Sequence, residues 1–133
     1  MPVLGWRHDW FPAFYSRSSG LPVPHRVETA AQVAAVLGGR SRAASGVLLT
    51  VPIPEADALD AAELDAVLAR ALADAAAAGV TGAAVTPFVL GRIAEATDGR
   101  SVPANLALAE RNAEVAAEVA VAIAAGGALS PGS

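Results

Sequence analysis

Lysine is absent from the 133 residues, and so is cysteine. Without lysine none of these side chains can form a Schiff base, because a guanidinium group is neither deprotonated nor nucleophilic at ordinary pH. Without a thiol they contain no disulfide, no thiolate nucleophile and no cysteine ligand for zinc, which fits a reducing compartment. We therefore expect a cytoplasmic protein.

Clustered positive charge and long apolar runs are also missing. All 9 basic residues are arginines, spread between Arg7 and Arg111, and 13 acidic residues bring the net charge to -4. Nucleic-acid binding needs a concentrated positive face, so we expect none. The most apolar stretch, Val115 to Ala125, contains Glu118 and falls short of the roughly 20 residues of a membrane-spanning helix. No membrane partner and no signal peptide are expected.

The length and the composition favour one domain. A chain of 133 residues with 54% hydrophobic content can bury one core. Much of that content is alanine, which buries little area per residue, so the core is thin unless helices pack closely or a partner covers them. We expect a single folded unit over residues 1–125 and a disordered tail of small residues over 126–133.

Apolar patterns and caps predict two strands and four helices. The strands span 2–6 and 46–51, both short apolar runs, and the second ends sharply at Pro52. The helices occupy 30–37 behind a Thr29–Gln32 capping box, the stretch from Asp60 to Gly79, the stretch from Thr86 to Gly99, and about 103–125. This order is typical of an α/β fold with a mostly parallel sheet. Two strands do not make a stable sheet, so further strands must come from elsewhere.

Two kinds of segment could bind a ligand. The loop Tyr15–Gly20 holds Arg17 and Ser18, which could bind a phosphate or carboxylate, or could simply satisfy backbone groups of an irregular loop. Thr86–Pro87 and Asn105 stand at predicted helix N-termini, with Thr86 as the cap. The Asn105 carboxamide could hydrogen-bond to the edge of a planar base, or to backbone groups at the end of its own helix.

Other polar residues have weaker claims to a function. His8 and His25 are the only histidines, and packing or surface roles compete with a metal or general-base role. Glu55 and Asp57 follow a predicted strand, where catalytic carboxylates often lie, but solvated loop charges are more common. We name none of these four as site residues.

Five blocks in the same order resemble pseudouridine-5'-phosphate glycosidases, the family that includes the indigoidine synthase A-like proteins. The most specific is Phe11-Pro12-Ala13-Phe14-Tyr15-Ser16-Arg17-Ser18-Ser19-Gly20. The others are His25-Arg26-Val27, Pro52-Ile53-Pro54-Glu55, Val85-Thr86-Pro87-Phe88 and Ala104-Asn105 with Leu106 to Leu108. The resemblance covers Pro2 to about Ala124, but only the later part of the family's length.

The resemblance implies a partial α/β/α layered fold and a reversible C–C bond cleavage. Members convert pseudouridine 5'-phosphate to uracil and ribose 5-phosphate through a lysine Schiff base, with a glutamate as proton donor and a divalent metal, typically Mn²⁺, near the phosphate. The lysine, the glutamate and the metal ligands would lie upstream of these residues, so no catalytic or metal-binding residue is assigned here. Asn105, Thr86 and Pro87 match positions at or near the family's active site, and Arg17 and Ser18 match its signature loop. The family assembles as a homotrimer.

Two departures from the family pattern are His8, where threonine is usual, and Val51, where asparagine is common. The first hypothesis is a fragment of the glycosidase that is inactive alone because it lacks the lysine, and Met1 in mid-strand suggests a partial gene, a misplaced start or a split polypeptide. A non-catalytic truncated paralogue acting as an interaction module is the alternative. A small phosphosugar-binding domain is a third.

Overall fold

Three parallel strands form a small sheet at the N-terminal end of the sequence. The computed structural model describes residues 1–39 and 46–127. Strand β1 (Val3–Trp6) lies in the centre, with β2 (His25–Val27) on one side and β3 (Leu48–Thr50) on the other. Leu4 pairs with His25 and with Leu49, and both pairings are parallel. The predicted mostly parallel sheet is therefore confirmed.

Strand β2 was not predicted from the sequence. It has only three residues, and His25 and Arg26 are exposed while Val27 is buried. A strand this short and polar gives no alternating pattern to detect, and its place is set by pairing with β1. The two predicted strands are present but shorter than expected, because β1 begins at Val3 and β3 covers only Leu48–Thr50.

Four α-helices follow or separate the strands. They are α1 (Ala30–Gly38), α2 (Ala61–Ala77), α3 (Val85–Ala96) and α4 (Ser101–Gly127), with short 3₁₀ turns at Glu55–Asp57 and Gly82–Ala84. The predicted capping box of α1 is confirmed, since Gln32 N donates to Thr29 Oγ1 at 3.3 Å and Thr29 N donates to Gln32 Oε1 at 3.2 Å. Asp60 caps α2 by accepting from Glu63 N at 2.8 Å.

The expected start of α3 is wrong. Thr86 is not the N-cap, because the 3₁₀ turn has already wound the chain and α3 begins at Val85 behind Ala84, which makes no side-chain cap bond. Thr86 and Pro87 therefore lie inside the first turn, where a missing proline N–H costs no intrahelical hydrogen bond.

Helix α4 is longer than predicted. It begins at Ser101, whose N–H donates to Thr97 Oγ1 at 3.2 Å, and it continues through Gly126 and Gly127. The predicted tail 126–133 shares Gly126 and Gly127 with α4, and its residues 128–133 lie outside the described residues. In the part of the chain that the structure describes, none of the helices combines the length and apolarity that crossing a membrane requires.

Buried residues form two clusters, which we call the helical core and the sheet core. The helical core joins α2, α3 and the start of α4, and consists of Tyr15, Ile53, Leu64, Val67, Ala71, Val89, Ile93 and Ala104. The sheet core joins β1, β2, α1 and the later part of α4, and consists of Leu4, Trp6, Val27, Val33, Val115 and Val119. Helix α4 contributes to both. Leu72 of α2 is 48% exposed, because the buried stripe of this helix continues through Ala71 and Ala75.

Candidate functional site

The carboxyl ends of β1 and β3 lie at the same edge of the sheet. Gly5 of β1 is level with Thr50 of β3, and the strands run in the same direction. The residues that leave this edge are Arg7 after β1 and Val51 after β3. In open α/β sheets ligands bind outside the carboxyl ends of the strands, so this edge is the first place to look for a site.

A pocket of about 400 Å³ opens at this edge, and we call it the arginine pocket. Its size falls in the range of roughly 300–1,000 Å³ that is usual for small-molecule sites. The lining residues are Trp6, Arg7, Arg17, Val51, Pro52, Pro54 and Arg111. Three arginines from three separate parts of the chain therefore line one pocket.

Each of the three arginines is held by a different contact. Arg17 is partly buried and its Nη1 donates to the carbonyl of Ile53 at 2.6 Å. Arg7 donates from Nε to the carbonyl of Glu28 at 2.9 Å, and its guanidinium carbon lies 4.8 Å from the centre of the Trp6 ring. Arg111 forms an ion pair with Glu114, one turn along α4, at 2.9 Å.

Self-bonding, one of the two interpretations that the sequence left open, is observed in the loop around Arg17. Its hydroxyl groups satisfy the loop itself: Ser19 Oγ donates to the carbonyl of Phe11 at 2.7 Å, and Gly20 N donates to Ser18 Oγ at 3.1 Å. Gly20 has φ +78°, a left-handed conformation that glycine adopts without strain. Arg17 also lines the arginine pocket, so the loop is self-bonded and borders the pocket.

Tyr15 anchors this loop to the helical core. Its side chain is 3% exposed, and its carbonyl accepts from Leu59 N at 2.9 Å. The ring of Phe14 meets it edge to face at 5.3 Å between centroids. Burial raises the pKa of the Tyr15 phenol above its ordinary value, because the phenolate would lose hydration. The loop that carries Arg17 is therefore fixed at its start by apolar packing.

The other predicted site residues do not join the arginine pocket. Thr86 and Pro87 are exposed on the first turn of α3, and Asn105 is exposed near the start of α4. Among the described residues Asn105 makes no side-chain hydrogen bond, so the expected alternative, a bond to its own helix end, is not observed. Of the five predicted residues, only Arg17 lines the pocket, with Ser18 next to it in the loop.

Arg7 and Arg111 were missed as site residues. Arg7 directly follows a predicted strand, so the rule about carboxyl ends could have identified it. No sequence pattern marked Arg111 as a site residue, since its spacing is that of an ordinary solvent-exposed position on an amphipathic helix. Its approach to Arg17 depends on how α4 packs against the sheet.

The histidines and the loop carboxylates do not form a metal site. His8 Nδ1 accepts from Trp10 N at 3.2 Å, His25 is exposed in β2, and Glu55 and Asp57 are exposed in a 3₁₀ turn. Within residues 1–39 and 46–127, no group of three His, Cys, Asp or Glu side chains could hold a metal ion.

A second depression, which we call the apolar groove, runs beside β3. It has a volume of about 380 Å³ and is bordered by Phe11, Pro12, Phe14, Leu48, Leu49, Thr50, Val51, Leu108, Asn112, Val115 and Ala116. Strand β3 pairs only with β1 among the described strands, and Leu48 is 38% exposed. Native proteins usually pair, cover or charge the edge strands of a sheet, so an exposed apolar edge of this kind is unusual.

Comparisons with known proteins agree on one family. A family model described as indigoidine synthase A like protein matches residues 1–122. The pseudouridine-5'-phosphate glycosidase of Methylobacterium nodulans is 48% identical over 127 residues, which are 92% of this chain and 37% of that protein. The corresponding protein of a Nocardioides species is 48% identical over 122 residues, 90% of this chain and 40% of its own length. The chain therefore spans about 40% of the length of these relatives.

Two solved structures share the fold. A prealnumycin C-glycosynthase in complex with ribulose 5-phosphate is 34% identical, with a TM-score of 0.83 over 96% of this chain and 43% of that one. An indigoidine synthase A-like protein from Thermotoga maritima is 34% identical, with a TM-score of 0.79 over 91% of this chain and 40% of that one. The predicted α/β fold is thus confirmed as part of a larger one.

Proposed function

Because the chain belongs to the indigoidine synthase A-like family, we propose that it forms part of a pseudouridine-5'-phosphate glycosidase. That enzyme cleaves the C–C glycosidic bond of pseudouridine 5'-phosphate reversibly, giving uracil and ribose 5-phosphate. The observation that carries the proposal is 48% identity to a glycosidase over 92% of this chain. The structural match to a C-glycosynthase supports the same class of bond chemistry.

The proposed chemistry needs groups that these residues do not supply. A Schiff base requires an amine, and the sequence contains no lysine. We propose that the lysine, the acidic glutamate and the Mn²⁺ ligands come from the part of the family fold outside these 133 residues. The described residues offer no cluster of metal ligands, so no step is assigned to a metal here. The homotrimer and the cytoplasmic location remain part of the proposal.

The contribution of these residues would be to bind and orient the substrate. The exposed carboxamide of Asn105 makes no bond to the described residues, so it is available to donate to and accept from the edge of a uracil ring. Thr86 and Pro87 would contribute from the exposed first turn of α3, and Arg17, with Ser18 next to it in the loop, from the carboxyl edge of the sheet. These roles position reactants and need no nucleophile.

The rest of the family fold would pack along the apolar groove. Strand β3 has an open edge, and exposed Phe14 and Leu48 border it. A parallel neighbour strand would satisfy the edge and cover both side chains. The relatives are long enough to supply such a strand, because this chain spans only about 40% of them.

Complementation tests the function. The 133-residue chain is assayed for uracil release from pseudouridine 5'-phosphate, alone and mixed with the N-terminal part of the Methylobacterium nodulans relative. We expect no turnover alone and measurable turnover in the mixture. Turnover by the chain alone would contradict the assigned role of the missing lysine, and a mixture that associates without turnover would favour the non-catalytic interaction module.

Matched variants separate association from chemistry. Leu48→Asp places a charge in the apolar groove and should abolish association with the N-terminal part. Leu21→Asp, at a leucine that is 65% exposed and does not border the groove, should leave it intact. Asn105→Ala should retain association and lower turnover, which distinguishes a binding role from a structural one. Equal effects of the two aspartate variants would argue against the groove as the contact surface.

A further inference from the structure

Helix α4 is apolar on two opposite sides. Its inner side carries the buried residues Ala104, Val115 and Val119, which belong to the two cores. The opposite side holds positions 102, 106, 109, 113, 116, 120 and 123, which are all exposed and all apolar, and we call it the outer face of α4. A surface helix normally has one apolar side, and a helix that is apolar all round is buried. Helix α4 therefore needs a second neighbour on its outer face.

The spacing along the outer face indicates which kind of element fits it. Its positions are alternately four and three residues apart, which is the heptad pattern of one helix packing along another at a shallow angle. Val102 and Leu106 at one end are 54% and 61% exposed, and Ile123 at the other end is 45% exposed. The four positions between them are alanines, which let a neighbouring helix approach closely. A strand has a period of two and would not follow this row.

The outer face is continuous with the apolar groove. Ala116 belongs to the outer face and also borders the groove, together with Asn112 and the residues of β3. A partner that adds a strand to the open edge of β3 therefore reaches the outer face as well. In layered α/β folds the connection between parallel strands is usually a helix that covers the sheet, so a strand beside β3 and a helix beside α4 belong together.

An acidic row borders the outer face on one flank. Glu110, Glu114 and Glu118 are four residues apart, so they lie on the same side of α4, and all three are exposed. Glu114 is paired with Arg111, whereas Glu110 and Glu118 form no ion pair within residues 1–39 and 46–127. A second copy of α4 offers this row no free cation, because Arg111 is the only basic residue of the helix and lines the arginine pocket. The row therefore favours a different helix, one with lysine or arginine beside its apolar positions.

On the basis of the proposed function, we propose that the outer face of α4 binds a helix from the part of the family fold that these residues lack. Basic side chains on that helix meet the acidic row. This chain spans only about 40% of its relatives, so the family has enough further sequence to supply such a helix. Helix α4 is then enclosed in the intact protein, with the sheet on one side and the second helix on the other.

Co-expression with a tagged N-terminal part of the Methylobacterium nodulans relative tests the contact. The full 133-residue chain is co-purified on the tag, and light scattering gives the mass of the complex. Ala113→Glu places a charge at the centre of the outer face and should lower the recovered chain at least about tenfold. Ala73→Glu makes the same exchange at an exposed alanine of α2 and should leave the recovery unchanged. Equal recovery of the two variants, or no recovery of the unaltered chain, overturns the proposal.

Charge reversal tests the chemistry of the partner helix. Glu110→Lys should raise the Kd of the purified complex about fivefold, because the new cation faces basic side chains. Asp65→Lys reverses an exposed charge on α2, away from the outer face, and should change the Kd less than about twofold. Both values come from dilution of the complex in the analytical ultracentrifuge. Tighter binding of Glu110→Lys would mean an acidic partner and would contradict the basic helix.

The remaining outcomes identify another occupant or another function. Dimers of the 133-residue chain that Ala113→Glu dissociates would show that a second copy binds the outer face, and the proposal would be wrong. Far-UV circular dichroism checks that each variant retains its helices. The contact and the glycosidase activity can fail separately. A complex that requires the outer face but releases no uracil supports the contact and contradicts the glycosidase, whereas turnover that Ala113→Glu leaves unchanged does the reverse.

Discussion

The helical core and the sheet core are built from sequence in opposite ways. Helices α2 and α3 follow each other along the chain, and their buried residues Leu64, Val67, Val89 and Ile93 come from one stretch of about thirty residues. The sheet core brings together Leu4, Val27, Val33 and Val119, which are far apart in sequence. Parallel strands require such long connections, whereas neighbouring helices do not.

Because of this difference, the helical core mainly stabilises the fold, whereas the sheet core borders the candidate site. The helical core is assembled from local contacts, which form with a low entropic cost of loop closure. The sheet core has open strand edges and borders both the arginine pocket and the apolar groove. The part of the chain that carries the candidate site is therefore also the part with uncovered strand edges.

The largest expected effect is in the helical core. Ile93 is 1% exposed, so Ile93→Ala should lower the free energy of unfolding by about 3 kcal/mol through lost burial and a cavity. Leu72→Ala, at a half-exposed position on α2, should change it by less than about 1 kcal/mol. Urea unfolding measures both.

Two probes in the same experiment compare the cores directly. Circular dichroism reports mainly the helices, and tryptophan fluorescence reports Trp6 in the sheet core together with Trp10. Because α4 contributes Ala104 to one core and Val115 to the other, we expect the two transitions to coincide. Separate midpoints would show that the helical core folds independently of the sheet.

A glycine exchange tests how tightly the sheet side is packed. A Cβ on Gly5 would collide with the carbonyl of His8 and lie 2.6 Å from Val23 Cγ2, so Gly5→Ala should cost about 2 kcal/mol. Gly91 on α3 has open space around it, and Gly91→Ala should instead stabilise the protein by about 0.5–1 kcal/mol. Thermal unfolding should show a lower Tm for Gly5→Ala and a higher Tm for Gly91→Ala. An unchanged Tm for Gly5→Ala would mean that the loop after β1 can move aside.

The N-cap of α2 should have a moderate effect. Asp60→Ala removes the hydrogen bond to Glu63 N and should cost about 1 kcal/mol. Thr81→Ala is the matched control, because Thr81 precedes a 3₁₀ turn and makes no side-chain cap bond. We expect the control to leave the denaturant midpoint unchanged. A loss as large as that of Asp60→Ala would indicate a role of Thr81 outside capping.

The smallest effect concerns pH. Burial raises the pKa of Tyr15, so the folded protein keeps the phenol protonated at a pH where the unfolded chain ionises. The protonated Tyr15 phenol contributes fully to the free energy of unfolding at any pH below the ordinary pKa of 10.0. Stability then falls as the pH rises from 10.0 through the higher pKa of the folded state. Tyr15 is the only tyrosine, so phenolate absorbance follows this residue alone. Tyr15→Phe should make the stability less dependent on pH in this alkaline range.

Local signals predicted much of the fold. The capping box at Thr29, the helix that starts at Asp60 and the strand before Pro52 each depend on a few neighbouring residues, and all three are found. Strand β2 and the true start of α3 were not predicted. The first depends on pairing with β1, and the second on a 3₁₀ turn that carries no distinct composition.

The candidate site was predictable only in part. Arg17 was identified from its loop and from the family resemblance, and the structure places it in the arginine pocket. Thr86, Pro87 and Asn105 stay apart from that pocket, and their roles remain predictions. Arg111 could not be associated with Arg17 beforehand, since nearly a hundred residues separate them and only packing brings them together.

The sequence alone determined the family, the helix caps, the parallel α/β order and the absence of a lysine nucleophile, because each is a property of residue types or of short spacings. The tertiary structure decided that Arg7, Arg17 and Arg111 share one pocket and that β3 leaves an apolar edge open. Both the grouping of these arginines and the exposure of the β3 edge depend on distances between residues that are remote along the chain. Those distances are set by the packing of α4 and the loops on the sheet, which no local pattern encodes.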